Sequence, residues 1–285
     1  MVEDQVEDPG AVLRERAREF GRALVGDAPW EDVAERVTLL VTAPPTGIDA
    51  AASTIALWLT IDVTTARSLP QEFRALVTDE VLLDRQRAMS GLPAIALTFS
   101  TDAALDRLLG SLTRRAMEAR WQVRHSVVVS DRLRRAETFA LRAGMLPDDG
   151  PERVARGLWV EAHAAARAFP ALAGEHGTGE RAADALPAAG ELVAALCRIA
   201  CFVDDAAYPA TEWLLPAARP TRIGKRIGDW MDGVQPGLRG DEAAARRVVS
   251  SAGQVLAEVQ EVLAERYRGR PWLAEPEVYT LRTPR

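Results

Sequence analysis

Between Thr38 and Asp62 the chain reads TLLVTAPPTGIDAAASTIALWLTID, and no other stretch narrows the fold as much. Val37, Leu39 and Val41 alternate with their neighbours as a half-buried strand would; Pro44-Pro45-Thr46-Gly47 breaks the run, and Ile55, Leu57, Leu59 and Ile61 alternate again. The spacing predicts a strand, a tight turn, a short helix and a second strand packed as one unit.

The flanking segments extend this unit into a sheet with helices. A helical pattern from Pro9 to Val25 stops at Gly26, and a second, from Gln71 to Met89, exposes Asp84, Arg85 and Arg87. Pro93 to Ser100, PAIALTFS, reads as a third strand, followed by a helix from Asp102, placed to cap it, towards Ala119. Trp121 to Ser130, WQVRHSVVVS, has the β-branched density of a buried strand, with His125 at its start, and Asp131 opens a helix through Arg142 closed by Gly144.

Pro147-Asp148-Asp149-Gly150-Pro151 is the strongest linker signal. Beyond it the alternation disappears, and helices are expected at about 152–169, 187–204, 210–232 with a break near Pro216 to Pro220, and 241–267. The fold class is therefore α/β (α+β): a mixed-sheet domain over residues 1–149 and a helical bundle domain over 150–285. Val248, Val249, Ala252, Val255, Leu256, Val259, Val262 and Leu263 make a broad apolar stripe on the last helix, which must pack on the bundle or on a second subunit, a homodimer. Tyr279 and Leu281 are candidate anchors for the tail.

Composition excludes several classes of function. The 285 residues are 48% hydrophobic with a net charge of -6 and no basic block, so the electrostatic footprint of a nucleic-acid binder is missing. No apolar run is long enough for a membrane span, and the start MVEDQVEDPG lacks a secretory pattern; a cytoplasmic protein is expected. The only lysine is Lys225, a composition expected of a high-GC bacterial source. Cys197 and Cys201 share a helix face and read as buried small hydrophobes. A metal site at these cysteines would need more ligands nearby, and none has the spacing, so no metal and no cofactor is expected. His125 reads as a strand-entry residue satisfied by backbone, with a general base as the alternative; His163, two residues after Glu161, does not share a face with it, and His176 lies in a Gly-rich loop and reads as solvated.

The strand, turn and strand around Gly47 and Ser53 resemble the active-site unit of the nucleotidyltransferase superfamily, the polymerase-beta-like fold of the kanamycin and other aminoglycoside nucleotidyltransferases. That family has Gly-Ser, then Arg-Gly, then Ser-Asp-x-Asp opening the second strand. With Gly47 and Ser53 in register, the Gly-Ser falls on Thr42-Ala43, the arginine on Thr46 and the two aspartates on Thr54 and Ala56. The third carboxylate of the family would lie on the strand Pro93 to Ser100, where Ala94, Ala96 and Thr98 face the same way. The resemblance continues in Phe202-Val203-Asp204-Asp205-Ala206-Ala207-Tyr208-Pro209-Ala210-Thr211-Glu212-Trp213, similar to the family's Phe-x-x-Asn and Tyr-x-Pro-x-x-Lys-Trp. The phosphate-facing lysine falls on Glu212, a charge that repels a triphosphate.

The resemblance thus implies the fold and removes its chemistry, because Mg²⁺ is held through carboxylates and substrate phosphates and alanine and threonine supply neither. Asp49 and Asp62 are the nearest substitutes, but Asp62 lies six residues past the second ligand position, about 20 Å along a strand. What remains is an expected metal-free site for a small molecule in an interdomain cleft, floored by Thr42, Thr54, Ala56 and Ala96 and walled by Trp58, Tyr208 and Trp213. Asp204, Asp205 and Glu212 are its candidate acids and bases, suited to cyclisation, isomerisation or elimination in a biosynthetic enzyme. A non-catalytic binding or regulatory protein is the alternative, and an active nucleotidyltransferase with displaced carboxylates the third.

Overall fold

A computed structural model describes residues 15, 18–19, 21–23, 25–26, 31–42, 55–71, 85–87, 95–173, 186–239 and 241–280. Two compact units divide between Leu146 and Pro147.

The first unit is built on a five-stranded mixed sheet in the order β3-β4-β2-β1-β5. β1 (Val37–Thr42) and β2 (Ile55–Ile61) run antiparallel, with Val37 opposite Ile61 and Thr42 opposite Ala56. β4 (Ile95–Thr101) lies parallel to β2; β3 (Arg85–Arg87) and β5 (Val127–Asp131) close the two ends antiparallel to β4 and β1.

Alternation sorts the side chains onto two faces, and both are covered. Leu39, Val41, Leu57, Leu59, Ile61 and Phe99 pack with Val25, with Val33 and Ala34 of a 3-10 turn (Glu31–Arg36), and with Ala66 of α1 (Val63–Ser68). Leu40 and Trp58 point the other way, into Leu105 and Leu109 of α2 (Asp102–Leu109), Ala119 and Val123 of α3 (Arg114–His125), and Ala136, Phe139 and Ala143 of α4 (Arg135–Gly144). β1 is consequently buried at all six positions rather than half-buried, because helices seal the second face as well.

Several sequence expectations change here. Trp121 to His125 is the last turn of α3, not strand: Thr113 caps the helix through Ala116 N, and Ala116, Ala119, Arg120 and Val123 line its buried face at helical spacing. The β-branched run forms a strand only from Val127. The helix expected from Asp102 to Ala119 is two, parted at Gly110, and its cap is Thr101 rather than Asp102. Arg85 to Arg87 is a short strand paired to β4, not the exposed face of a helix. Asp131 ends β5 and accepts from Arg135 N and Ala136 N, so it caps α4 from a distance while Arg134 takes the left-handed conformation, φ 54°.

The second unit is helical: α5 (Gly150–Ala173), α6 (Leu186–Asp205), α7 (Thr211–Ala218), α8 (Arg222–Leu238), α9 (Glu242–Tyr267) and the short α10 (Pro271–Ala274) and α11 (Glu277–Thr280). The stripe of α9 is buried at Val248, Ala252, Val255, Leu256, Val259, Val262 and Leu263 by neighbours in its own unit, chiefly α8 and α5, so it needs no second subunit to leave water. The tail is anchored by Trp272 and Leu273: Trp272 Nε1 donates to Glu152 Oε1 at 3.0 Å, and Leu273 O accepts from Trp159 Nε1 at 3.3 Å and Gln260 Nε2 at 3.1 Å. Tyr279 sits under the Arg156 guanidinium, 5.7 Å from ring centroid to Cζ, and Leu281 is outside the described residues. Among the described residues no helix is long and apolar enough to cross a membrane.

Candidate functional site

The sheet pairing gathers the positions singled out by the family resemblance. Thr42 lies opposite Ala56, Ala56 beside Ala96 and Ala96 opposite Gln86, which makes a continuous row across four strands. No member is a carboxylate. Thr54 and Asp49 are outside the described residues.

Packing has already employed two members of this end of the sheet. Thr42 is buried and donates its hydroxyl to Gln122 O of α3 at 3.2 Å. Trp58, two residues along from Ala56 on the same face, is core: it lies among Leu40, Leu105 and Phe139 and donates Nε1 to Ser100 Oγ at 2.8 Å. A buried indole with its N–H satisfied and its faces packed has the surroundings of a core residue rather than of a ligand wall.

Carboxylates do gather at the opposite end of the same strands, where β2, β4 and β5 finish in Asp62, Asp102 and Asp131. Asp62 caps α1, accepting Thr65 N at 2.8 Å. Asp102 accepts from Thr60 Oγ1 at 2.6 Å, and Asp131 from Thr38 Oγ1 at 3.0 Å. The Arg135 guanidinium reaches across this end, pairing with Asp102, lying 3.6 Å from Asp62 and donating to Arg36 O at 3.4 Å, while Arg36 donates to Thr65 Oγ1 at 3.3 Å. Helix caps, hydroxyls and one arginine occupy these acids, so they form a clasp over the sheet edge. Among the described residues no group of three or more His, Cys, Asp or Glu is arranged to hold a metal ion.

The two acids beside Arg135 are displaced in opposite directions. For Asp62 burial works upward, but the hydrogen bonds from Thr65 and the charges of Arg135 and Arg36 outweigh it and hold the carboxyl below its ordinary range. For Asp102 burial dominates and raises it, helped by the charges of Asp62 and Asp131, against the Thr60 hydroxyl and Arg135. Folded Asp102 therefore binds its proton more tightly than the unfolded chain does, and its contribution to stability declines as pH rises from the ordinary carboxylate value through the folded one. Asp62 behaves inversely, its contribution being lost as pH falls through its folded value. Asp102→Asn is thus expected to gain on the native chain in urea denaturation as pH is raised from about 4 to about 7. A difference independent of pH would mean that Arg135 fully offsets the burial.

In the helical unit, the segment resembling Phe-x-x-Asn and Tyr-x-Pro-x-x-Lys-Trp joins α6 to α7. Ala206 turns the chain with φ 50°, and its N–H bonds Phe202 O at 2.9 Å, closing α6. Tyr208 and Trp213 are buried, with Arg198 over the Tyr208 ring at 6.0 Å. Asp204 Oδ2 accepts from Arg222 N at 3.1 Å, so an acid at the unfavourable end of α6 serves the favourable end of α8. Asp205 is half-buried, and Glu212 is exposed in the first turn of α7.

The remaining histidines and cysteines keep structural surroundings. His125 stacks on Trp121 at 4.3 Å, with Nδ1 2.9 Å from Trp121 O. Half-buried His163 meets Trp159 edge-on, and burial, offset in part by Glu277, pushes its imidazole below the ordinary range. Cys197 and Cys201 are buried; burial pushes the Cys197 thiol up to about 12 and the Cys201 thiol higher still, which leaves both inert as nucleophiles. His176 is outside the described residues.

The sequence reading missed Arg135 and Arg120. Arg120 had a visible signal, a charged residue on the apolar face set by Ala116, Ala119 and Val123; Arg135 had none, since its partners lie 33 and 73 positions away in sequence, at Asp102 and Asp62.

Among solved structures, the chain is similar to a nucleotidyltransferase-like protein from Exiguobacterium sibiricum 255-15, at 11% identity over 88% of this chain and 81% of that one, with a TM-score of 0.40. A likeness of that size carries no residue role across. No family model matches the chain, and no curated protein is significantly similar to it.

Proposed function

We propose that this chain is a nucleotidyltransferase-like protein that does not carry out metal-dependent nucleotidyl transfer and instead binds a small organic molecule without a metal. The observation that carries the reading is the row Gln86, Ala96, Ala56 and Thr42, where the strand pairing supports the sequence alignment and every side chain is neutral. These residues do not fit Mg²⁺, a hard cation that needs carboxylate oxygens beside the phosphates it bridges. The nearest acids on the same strands, Asp62 and Asp102, are at the far end and engaged by Thr65, Thr60 and Arg135.

Binding is favoured over turnover because Asp204, one of the three candidate acids, is used as a helix cap. Acid–base turnover through Asp204, Asp205 and Glu212, of the cyclisation, isomerisation or elimination type, is the narrower form of the same proposal. Titration calorimetry with ATP, CTP and GTP, each with Mg²⁺, is expected to give no saturable heat. A micromolar signal that a chelator abolishes would overturn the reading and restore the nucleotidyltransferase one.

A further inference from the structure

We propose that His163 is a proton-operated latch: the segment α10–α11 seats on α5 while the imidazole is neutral and lifts from it when the imidazole takes a second proton. The seat is a stripe of side chains. Glu152, Arg156, Trp159 and His163 recur at intervals of four, three and four residues, so they share one face of α5. The first three hold the tail. Glu152 accepts from Trp272 Nε1 at 3.0 Å and lies 3.2 Å from the Arg270 guanidinium. The Arg156 guanidinium stands over the Tyr279 ring, and Trp159 Nε1 donates to Leu273 O at 3.3 Å.

His163 continues the stripe in a different manner. Its ring meets Trp159 edge-on, with centroids 4.3 Å apart, so it leans on the indole whose N–H holds Leu273. Its Nε2 is shielded from water and, among the described residues, makes no hydrogen bond. A neutral imidazole tolerates that place, because one of its nitrogens carries a lone pair and no proton. An imidazolium does not: both nitrogens are then donors, and a charged N–H out of water without an acceptor is costly.

The direction of the switch follows from what surrounds the ring. Among the described residues the charges that act on it are Glu277 of α11, which favours the imidazolium, and Arg167 of α5, which opposes it; α6 and α9, also packed on α5, contribute none. Burial outweighs both and holds the imidazole below its ordinary range, so the seated tail selects the neutral form. With the tail lifted, the ring meets water and binds its proton more tightly. Seating is therefore strongest above the ordinary histidine value and weakens as pH falls through it towards the seated one. Glu277 rides on the segment that moves, and its attraction for the imidazolium limits the loss. Lifting α10 bares Trp159 and Trp272, which are 0% and 2% exposed when it is seated.

Hydrogen exchange of the full chain, read by mass spectrometry and corrected for the intrinsic effect of pH, tests the latch. The window is pH about 7.5 to about 5.5, where imidazole is the side chain that ordinarily changes charge. The amides bonded within the tail, Leu273, Glu275 and Tyr279 among them, are expected to lose protection severalfold across it, while those of α8 keep theirs. His163→Phe leaves an aromatic ring beside Trp159 without a titrating nitrogen and is expected to abolish the pH dependence. Glu277→Gln removes the charge that favours the imidazolium, so it is expected to enlarge the loss. In the native chain the imidazole proton resonance of His163 is expected to titrate with a midpoint below the ordinary histidine value. Tail protection equal at both pH values, an equal loss in α8, a pH dependence that survives His163→Phe, a smaller loss in Glu277→Gln, or a midpoint at or above the ordinary value would overturn the proposal.

Discussion

Gly224→Ala is expected to destabilise the helical unit by about 3–5 kcal/mol, although alanine is the better helix former by about 1 kcal/mol. Gly224 lies in the first turn of α8, and a Cβ there would sit 1.9 Å from Ala218 O and 2.7 Å from Ala218 C, both backbone atoms. Neither can swing aside as a side-chain end would. Thr221 ties the junction further, donating its hydroxyl to Ala218 O at 2.6 Å and accepting from Gly224 N at 2.9 Å. An added methyl must push the end of α7 off the start of α8, which breaks the Thr221 cap and pulls Arg222 N from Asp204. Urea denaturation followed by helical circular dichroism reads the loss. A variant as stable as the native chain, or more so, would mean that α7 and α8 part at that junction without cost.

What was legible in the sequence follows the range of the forces involved. Period-two alternation is local, and it places β1 and β2 within a residue or two of Val37–Thr42 and Ile55–Ile61. The helices of the second unit were legible for the same reason, since α9 shows its apolar stripe over 26 residues. Signals that depend on distant partners were not. β3 is three residues, held as strand only by pairing with β4, so its composition read as helix. At Trp121 to Val129 apolar and β-branched density spans a helix end and a strand, and Ser126, whose hydroxyl bonds Val123 O at 2.8 Å, is the quiet break between them.

The candidate row could be named from the sequence, but the contacts of its residues could not. Thr42, Ala56 and Ala96 could be named from the motif, and the register that sets them side by side belongs to the sheet. That Thr42 is covered by α3 could not be foreseen, because its partner Gln122 lay in a segment whose helix was hidden. Asp204 looked like an acid stranded at a helix end; its use comes from α8, whose first residue lies 18 positions on.

Arg120→Leu is expected to cost the sheet unit about 3–5 kcal/mol, the price of removing a buried side-chain donor shared by four helix-end carbonyls. Arg120 is 0% exposed and, among the described residues, pairs with no carboxylate; burial, with the charges of Arg142 and Arg124, holds its pKa below the ordinary arginine value. Its guanidinium instead closes two helices at once. Nη2 donates to Leu109 O, the last residue of α2, and Nη1 to Arg142 O at 3.2 Å, Ala143 O at 2.8 Å and Met145 O at 2.8 Å around the end of α4. Helix C-termini carry carbonyls with no partner in the helix and a partial negative charge, so one buried cation satisfies both requirements for two helices. Leucine would fill much of the volume but remove the guanidinium from the two buried oxygens, Leu109 O and Ala143 O. Lysine keeps the charge with fewer donors and no planar fork, so Arg120→Lys is expected to lose less, about 1–3 kcal/mol. The ordering native, lysine, leucine in urea midpoints is the result that supports this account. A leucine variant within about 1 kcal/mol of the native chain would mean that water already reaches the ends of α2 and α4, and that the arginine is held there by packing alone.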